Sequence, residues 1–258
     1  MNVDSNSYTF GFATMMVVIV AALLSYAAIE LKPFQDTNIE LEKQQNILSS
    51  IGVDVQRDLA KEVYSKYIKQ EIVLNYRGEE VDGDAFEIEL KKELKKANSD
   101  QVLPLFISNV DGFKQYIIPL RGKGLWGPIW GFIALEEDLN TVYGAVFDHK
   151  GETPGLGAEI NQSFFQDPFI GKSIFDGETF KSIRVVKGGA TEGDNYAVDG
   201  ISGGTITSDG VADMISERLN MYLPYITKIK TNEQANKLIT GIDSVLMLND
   251  SLRQLDYE

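Results

Sequence analysis

The 258-residue chain is 43% hydrophobic and sets 24 basic against 38 acidic side chains, for a formal net charge of −14. That balance argues against a nucleic-acid partner, whose phosphates demand stripes of Lys and Arg, and describes a well-solvated acidic surface. With no cysteine there is no thiol nucleophile, disulfide, Cys-based zinc site or cysteine-held iron–sulfur cluster, and the single histidine, His149, excludes any site that needs two.

The first predicted element runs from Ser5 to Ile29, a stretch without charge whose core is FGFATMMVVIVAALLSYAAI. It has about the 20 apolar residues that a helix needs to cross a lipid bilayer. It is too long for the apolar core of a signal peptide, no basic segment precedes it, and no small-residue cleavage site stands out. We therefore expect a retained single-pass anchor, with a cleaved signal as the alternative. Asp4 before the span and Lys32 after it give the positive-inside rule too little to set an orientation. Pro33 marks a break, so residues 1–33 are read as the anchor.

Residues 36–72 carry apolar positions near helical period (Ile39, Ile47, Leu48, Ile51, Leu59, Val63, Tyr67) and predict helix. DAFEIELKKELKKA, residues 84–97, predicts a short charged helix whose KKELKK run is a solvated face. Residues 34–100 thus read as a helical, charged, membrane-proximal region. From Val102 the texture changes. VLPLFIS and FKQYIIPL flank NVDG, a hairpin turn with Gly112 where positive φ is needed. GPIWGFIAL and NTVYGAVFDH predict two more strands, and glycines 122, 124, 127 and 131 predict tight turns and close backbone approaches. A short helix over 155–166, strands in FKSIRVVKG and up to Val198, a helix from Gly210 to Leu223 and a last helix from Thr231 complete the chain. Thr207, Ser208 or Asp209 is expected to cap the Gly210 helix. The fold class is α+β: an N-terminal transmembrane helix, then a soluble domain of antiparallel strands and helices over 101–258.

Three runs stand out for chemistry. VDGISGGTITSDGV, Val198 to Val211, places hydroxyls and a Gly-Gly pair between a strand and a helix start, where free N–H groups and the helix dipole favour an anion. It lacks the lysine of a P-loop and the spacing of a dinucleotide fingerprint, so a phosphate site and a plain capping turn both remain open. HKGETPGLGAEI, His149 to Ile160, pins Pro154 among free glycines and suits either close backbone contact or an ordinary surface loop. GKGLWGPIWGF, Gly122 to Phe132, holds both tryptophans, for which core packing is the default.

Taken together, these runs resemble one family. DGISGGT, Asp199 to Thr205, resembles the D-[GA]-x-[ST]-G-A-T motif on whose final threonine a flavin transferase esterifies FMN, and ETPGLG, Glu152 to Gly157, resembles the second motif of the same FMN-binding domains. With the anchor, GLWGPIWGFIAL and NTVYGAVFDHKGETPGLGAEI, the chain resembles the C-subunit of the bacterial sodium-translocating NADH:quinone reductase. The likeness extends from the anchor to about Leu223 and is weakest over 34–100. One departure is Gly204, where alanine is usual, which is expected to loosen the turn.

The resemblance implies covalent FMN, joined by a phosphoester to Thr205, with Ser202, Gly203 and Gly204 letting the transferase close around the chain. Thr207 is a rival acceptor, and a histidyl flavin on His149 is another. Glu152, Thr153, Leu156 and Gly157 would contact the ring, Glu152 being the charge most able to influence it. The implied role is an electron relay with no NADH site and no catalytic side chain or metal of its own. It would feed ubiquinone reduction coupled to sodium export among the other polypeptides of an inner-membrane complex, with its domain periplasmic. The G-subunit of an Rnf-type electron-transfer complex shares both motifs and stays open. So does a non-redox, membrane-anchored protein with a phosphate-binding turn.

Overall fold

The computed structural model describes residues 5–255; the first four residues of the expected anchor, Asp4 among them, and the last three of the chain lie outside it. The chain divides into two units, Met1–Gln44 and Gln45–Glu258. The first is formed by helix α1 (Asn6–Ser49), which continues into the second. An 18-residue window of α1 has a mean hydropathy of 2.3 and none of it is buried, so by length and composition the helix can cross a membrane.

Pro33 does not end this helix; it lies inside it. Proline forfeits one backbone hydrogen bond, to the Ile29 carbonyl, and crowds the preceding turn. The surrounding turns hold across it: Thr37 Oγ1 donates to the Pro33 carbonyl at 3.0 Å and Lys32 pairs with Asp36 at 3.2 Å, one turn apart.

The second unit is built on a six-stranded antiparallel sheet. After α1 come α2 (Ala60–Tyr67), β1 (Ile68–Asn75), β2 (Glu80–Val81), the single turn α3 (Leu90–Glu93), β3 (Val102–Val110), β4 (Phe113–Lys123), β5 (Pro128–Leu135) and β6 (Val142–His149). The sheet order is β2-β1-β3-β4-β5-β6. The β3–β4 hairpin turns at Asp111 and Gly112, both at positive φ, as the NVDG reading requires.

Three parts of the N-terminal half differ from their sequence reading. The helix expected over 36–72 is broken at residues 50–59, where a turn at Gly52 (φ +71) and extended chain separate α1 from α2. Residues 68–72 are strand, not helix, because Ile68–Asn75 pairs along its length with β3, and tertiary pairing overrides a weak local periodicity. The helix expected over 84–97 shrinks to α3. Glu93, instead of extending a solvated face, turns inward to accept from Val102 N at 3.1 Å and from Lys96 Nζ at 2.7 Å.

Side chains alternate across the sheet and make two cores. Leu103, Leu105 and Ile107 of β3, with Ile118 and Leu120 of β4, face one; Phe106 and Ile117 face the other. The second core is closed by Ile47 and Leu48 at the end of α1, by Ile51 in the turn after it and by Tyr64 of α2.

Beyond β6, the chain forms the turn α4 (Ser163–Gln166), the two-residue strands β7 (Phe175–Asp176) and β8 (Thr179–Phe180), and the parallel pair β9 (Arg184–Val186) and β10 (Ala197–Asp199). The last element, α5 (Thr205–Leu255), covers the first core with Val211, Met214, Ile215, Leu219 and Tyr222. Tyr222 Oη donates to the Pro104 carbonyl at 2.7 Å, and burial pushes this phenol's pKa up. Expected as two helices, Gly210–Leu223 and one from Thr231, the segment is one helix containing Pro224.

Candidate functional site

The three sequence runs converge on the start of α5. Gly203 lies at φ +76, which frees the chain to turn sharply out of β10. The Gly204 carbonyl then accepts the first bond of the helix, from Ser208 N at 2.9 Å. α5 therefore begins at Thr205, two residues before the earliest of the expected caps. Ser208 Oγ instead accepts from Ile201 N at 3.0 Å and ties the turn down from within. The N–H groups of the first helical turn have no intrahelical acceptor, as at every helix start.

Glu152 holds the site together. It is 5% exposed, and each carboxylate oxygen serves a different segment. Oε1 accepts from Trp126 N at 2.9 Å, and Oε2 accepts from Thr207 Oγ1 at 2.7 Å. The Glu152 N–H itself donates to His149 Nδ1 at 3.1 Å. One buried carboxylate thus links the β4–β5 turn, the ETPGLG loop and the first turn of α5. A charge buried this deeply is tolerable because it is hydrogen-bonded on both oxygens.

Glycines leave room for this arrangement. A Cβ on Gly157 would sit 2.5 Å from Thr207 Oγ1 and 2.7 Å from Glu152 Oε2. On Gly124 it would sit 2.5 Å from Glu152 Oε1, and on Gly210 it would sit 2.4 Å from the Lys123 carbonyl.

The sequence-derived site residues separate into two groups. Glu152, Gly157, Gly204 and Thr207 are buried and build the site from inside. Ser202, Gly203, Thr153 and Leu156 are exposed, and Thr205 is half-buried at the helix start. The rival acceptor Thr207 is 1% exposed, with its hydroxyl engaged by Glu152. His149 is held by the Glu152 backbone.

Sequence reasoning missed Trp126. It is 69% exposed, against the expectation of core packing, while Trp130 is half-buried. The cause is local: Gly124 N bonds to the Gly127 carbonyl at 2.8 Å, which makes Leu125 and Trp126 the two-residue tip of a hairpin. The G-L-W-G spacing carried that signal. Leu125, Trp126, Leu156 and Ile206 are exposed apolar side chains on the three segments that Glu152 joins. On the other flank, a cleft of about 520 Å³ is lined by Gly155, Glu159 and Phe164 and by Asp199, Gly200 and Ser202. Here Glu159 Oε1 accepts from Gly155 N at 2.8 Å and Asp199 Oδ1 from Ala190 N at 2.7 Å.

Residues 124–220 match the model of the FMN-binding domain family. The C-subunit of the Na(+)-translocating NADH-quinone reductase of Vibrio vulnificus is 34% identical over 227 residues, covering 81% of this chain and 88% of that one. The chain belongs to this C-subunit family. The Haemophilus ducreyi member is 33% identical over 254 residues, covering 91% of this chain and 98% of its own. Among solved structures, the C-subunit from Parabacteroides distasonis has 46% identity and a TM-score of 0.72, over 76% of this chain and 97% of that one. NqrC of Shewanella oneidensis has 28% identity and a TM-score of 0.65, over 74% and 98%. Between the two families that share the motifs, these relatives decide for the reductase.

Gly204, where the family motif has alanine, is tighter than the sequence suggests. A Cβ there would lie 3.0 Å from Ile201 Cγ2, 3.1 Å from the Leu156 carbonyl carbon and 3.2 Å from Gly157 N. The entropic gain from Gly→Ala is about 0.4–1 kcal/mol, and overpacking against backbone costs about 1–3 kcal/mol. Gly204→Ala should therefore lower stability by roughly 1 kcal/mol in urea unfolding of this chain; a rise would show that the ETPGLG loop yields freely.

Proposed function

We propose that this chain is an electron-carrying subunit of a sodium-translocating NADH:quinone reductase and carries FMN as a phosphoester on Thr205. The observation that carries the reading is the contrast between two neighbouring threonines of one helical turn. Thr205 offers its hydroxyl at the half-exposed start of α5, whereas the Thr207 hydroxyl is buried and bonded to Glu152. In the attachment step a flavin transferase presents an activated FMN phosphoryl donor. Thr205 Oγ1 gives up its proton and forms the P–O bond as the donor's leaving group departs. The free N–H groups and the dipole at the start of α5 favour the remaining phosphodiester charge.

Bound FMN supplies reversible electron uptake; the chain supplies position and surroundings. Leu156, Trp126 and Ile206 offer apolar surface beside the acceptor, and Thr153, Ser202 and Gly203 offer exposed polar and backbone groups. Glu152, Thr207 and Gly157 fix these segments from behind. NADH oxidation, quinone reduction and sodium export belong in this reading to the assembled complex, which the names of the relatives support; we read the quinone as ubiquinone.

The uncharged part of α1 anchors the chain in the bacterial inner membrane with the second unit on the periplasmic side. At 1.5 Å per residue it exceeds the roughly 30 Å of a hydrocarbon core. Intact mass of the chain extracted from membranes should include residues 5–29, and a mature N-terminus near residue 30 would show cleavage instead. A cysteine placed in the second unit of intact cells should react with a membrane-impermeant maleimide; protection until lysis would reverse the orientation. The phosphoester itself is tested by the threonine substitution and the peptide mapping argued in the Discussion.

A further inference from the structure

A second cleft, of about 400 Å³, lies where α5 crosses the end of β4. The crossing is close: a Cβ on Gly122 would lie 2.6 Å from Met214 Cβ, and one on Gly210 would meet the Lys123 carbonyl. The charge of the cleft is opposite to that of the chain. Lys91 on α3 and Lys95 just after it, Arg121 and Lys123 on β4, and Arg218 on α5 line it, with Asp213 and Glu217 on the same helix. These are five cations and two carboxylates in a protein of net charge −14.

The cations are largely unspent. Glu217 is paired with Arg218 at 2.9 Å. The side chains of Lys91, Lys95, Arg121 and Lys123 have no hydrogen-bond or ion-pair partner among the described residues. Arg121 is half-buried, and burial lowers its pKa. Arg218 Nε is buried without an acceptor. Arg121, a guanidinium drawn partly out of water with no anion beside it, is an uncompensated cost, and an incoming carboxylate would offset it in bidentate geometry.

We propose that this cleft docks an acidic segment of a partner polypeptide, with a carboxylate on Arg121 and an apolar side chain against the half-buried Leu94. The proposal rests on the reading that the chain works within a multi-subunit complex. The lining favours a peptide over a compact anion such as phosphate. The cations come from three separate segments, the floor is Gly122, Gly210 and Met214, and Asp213 would repel a concentrated negative charge placed there. An extended segment alternates carboxylates with apolar side chains and meets all of these. The location matters too. Lys123 lies two residues before the Leu125–Trp126 tip, and Gly210 five residues after Thr205. A partner seated here is held beside the proposed flavin, and complementary charge would speed its arrival.

The test uses the full-length chain in non-ionic detergent and, as probe, a short fluorescein-labelled poly-glutamate peptide carrying one leucine. Fluorescence anisotropy should show saturable binding that the pair Arg121→Glu and Lys123→Glu weakens about tenfold or more. Lys61→Glu with Lys66→Glu, which removes two exposed lysines elsewhere, should leave binding unchanged. Absence of binding, or equal loss in both pairs, would overturn the proposal. So would displacement of the peptide by inorganic phosphate at comparable concentration, which would make the cleft a small-anion site. Covalent flavin on the same samples, read by mass, separates this outcome from the fate of the Thr205 reading, because neither Arg121 nor Lys123 belongs to that site.

Discussion

Thr205→Ala will lose covalent FMN entirely and still fold. Without the hydroxyl there is no oxygen to form the phosphoester, and the nearest alternative, Thr207 Oγ1, is buried and already donates to Glu152 at 2.7 Å. The folded domain gives up little. The Thr205 hydroxyl has no hydrogen-bond partner among the described residues, and alanine is a better helix former, so the stability change should stay within about 0.5 kcal/mol. Thr205→Ser keeps an acceptor oxygen at the same place and should retain part of the label. The measurement is flavin fluorescence on a denaturing gel of chain co-produced with a flavin transferase. Yellow, fluorescent Thr205→Ala protein would show that another residue carries the flavin.

The second large effect is expected from Gly157→Val. Valine would place its Cβ 2.5 Å from Thr207 Oγ1 and 2.7 Å from Glu152 Oε2. Neither neighbour can step aside easily. Thr207 is β-branched and stiff at χ1, and the Glu152 carboxylate is pinned by Trp126 N on its other oxygen. The bond between them must break, which leaves one oxygen of a buried carboxylate without its donor. Leaving a buried, charged acceptor short of one hydrogen bond costs about 1–3 kcal/mol or more and overpacking adds about 1–3 kcal/mol, together well above the methyl-scale strain at Gly204. We expect a loss of that order in urea unfolding and a disordered acceptor turn that a transferase labels poorly. Gly155→Val probes the same loop by another route. Gly155 has open space around its Cβ but sits at φ +75, so its cost is backbone strain of about 1–3 kcal/mol. Equal, small losses at both positions would show that Glu152 does not hold the site.

How far the sequence could be read depended on whether the deciding contact was local. The β3–β4 hairpin was legible because Asp111 and Gly112 carry the turn's positive φ angles in the sequence itself. The strands β3–β6 were legible because each alternates against a core on both faces. β1 was not, since IKQEIVLN has weak periodicity and becomes strand only by pairing with β3, which lies far along the chain. The start of α5 was read too late for a related reason. Thr205, Ile206, Thr207 and Ser208 are poor helix formers, and a hydrogen bond from Thr207 to a residue in a distant loop accompanies the turn they make. In the site itself, the two motifs and Thr205 stood out as patterns. The burial of Glu152 and the exposure of Trp126 did not, because both are set by how the β4–β5 tip and the ETPGLG loop meet in space. The Pro33 break failed in the opposite sense: a strong local rule was outweighed by the helix on either side of it.

The most direct test of the central claim is peptide mapping of the chain purified from its native membrane. After proteolysis, fragment-ion mass spectrometry should find a single FMN-sized phosphoester adduct, and the fragment series should place it on Thr205. An adduct placed on Thr207 or on His149, or a Thr205 peptide found wholly unmodified in flavin-containing complex, would contradict the account.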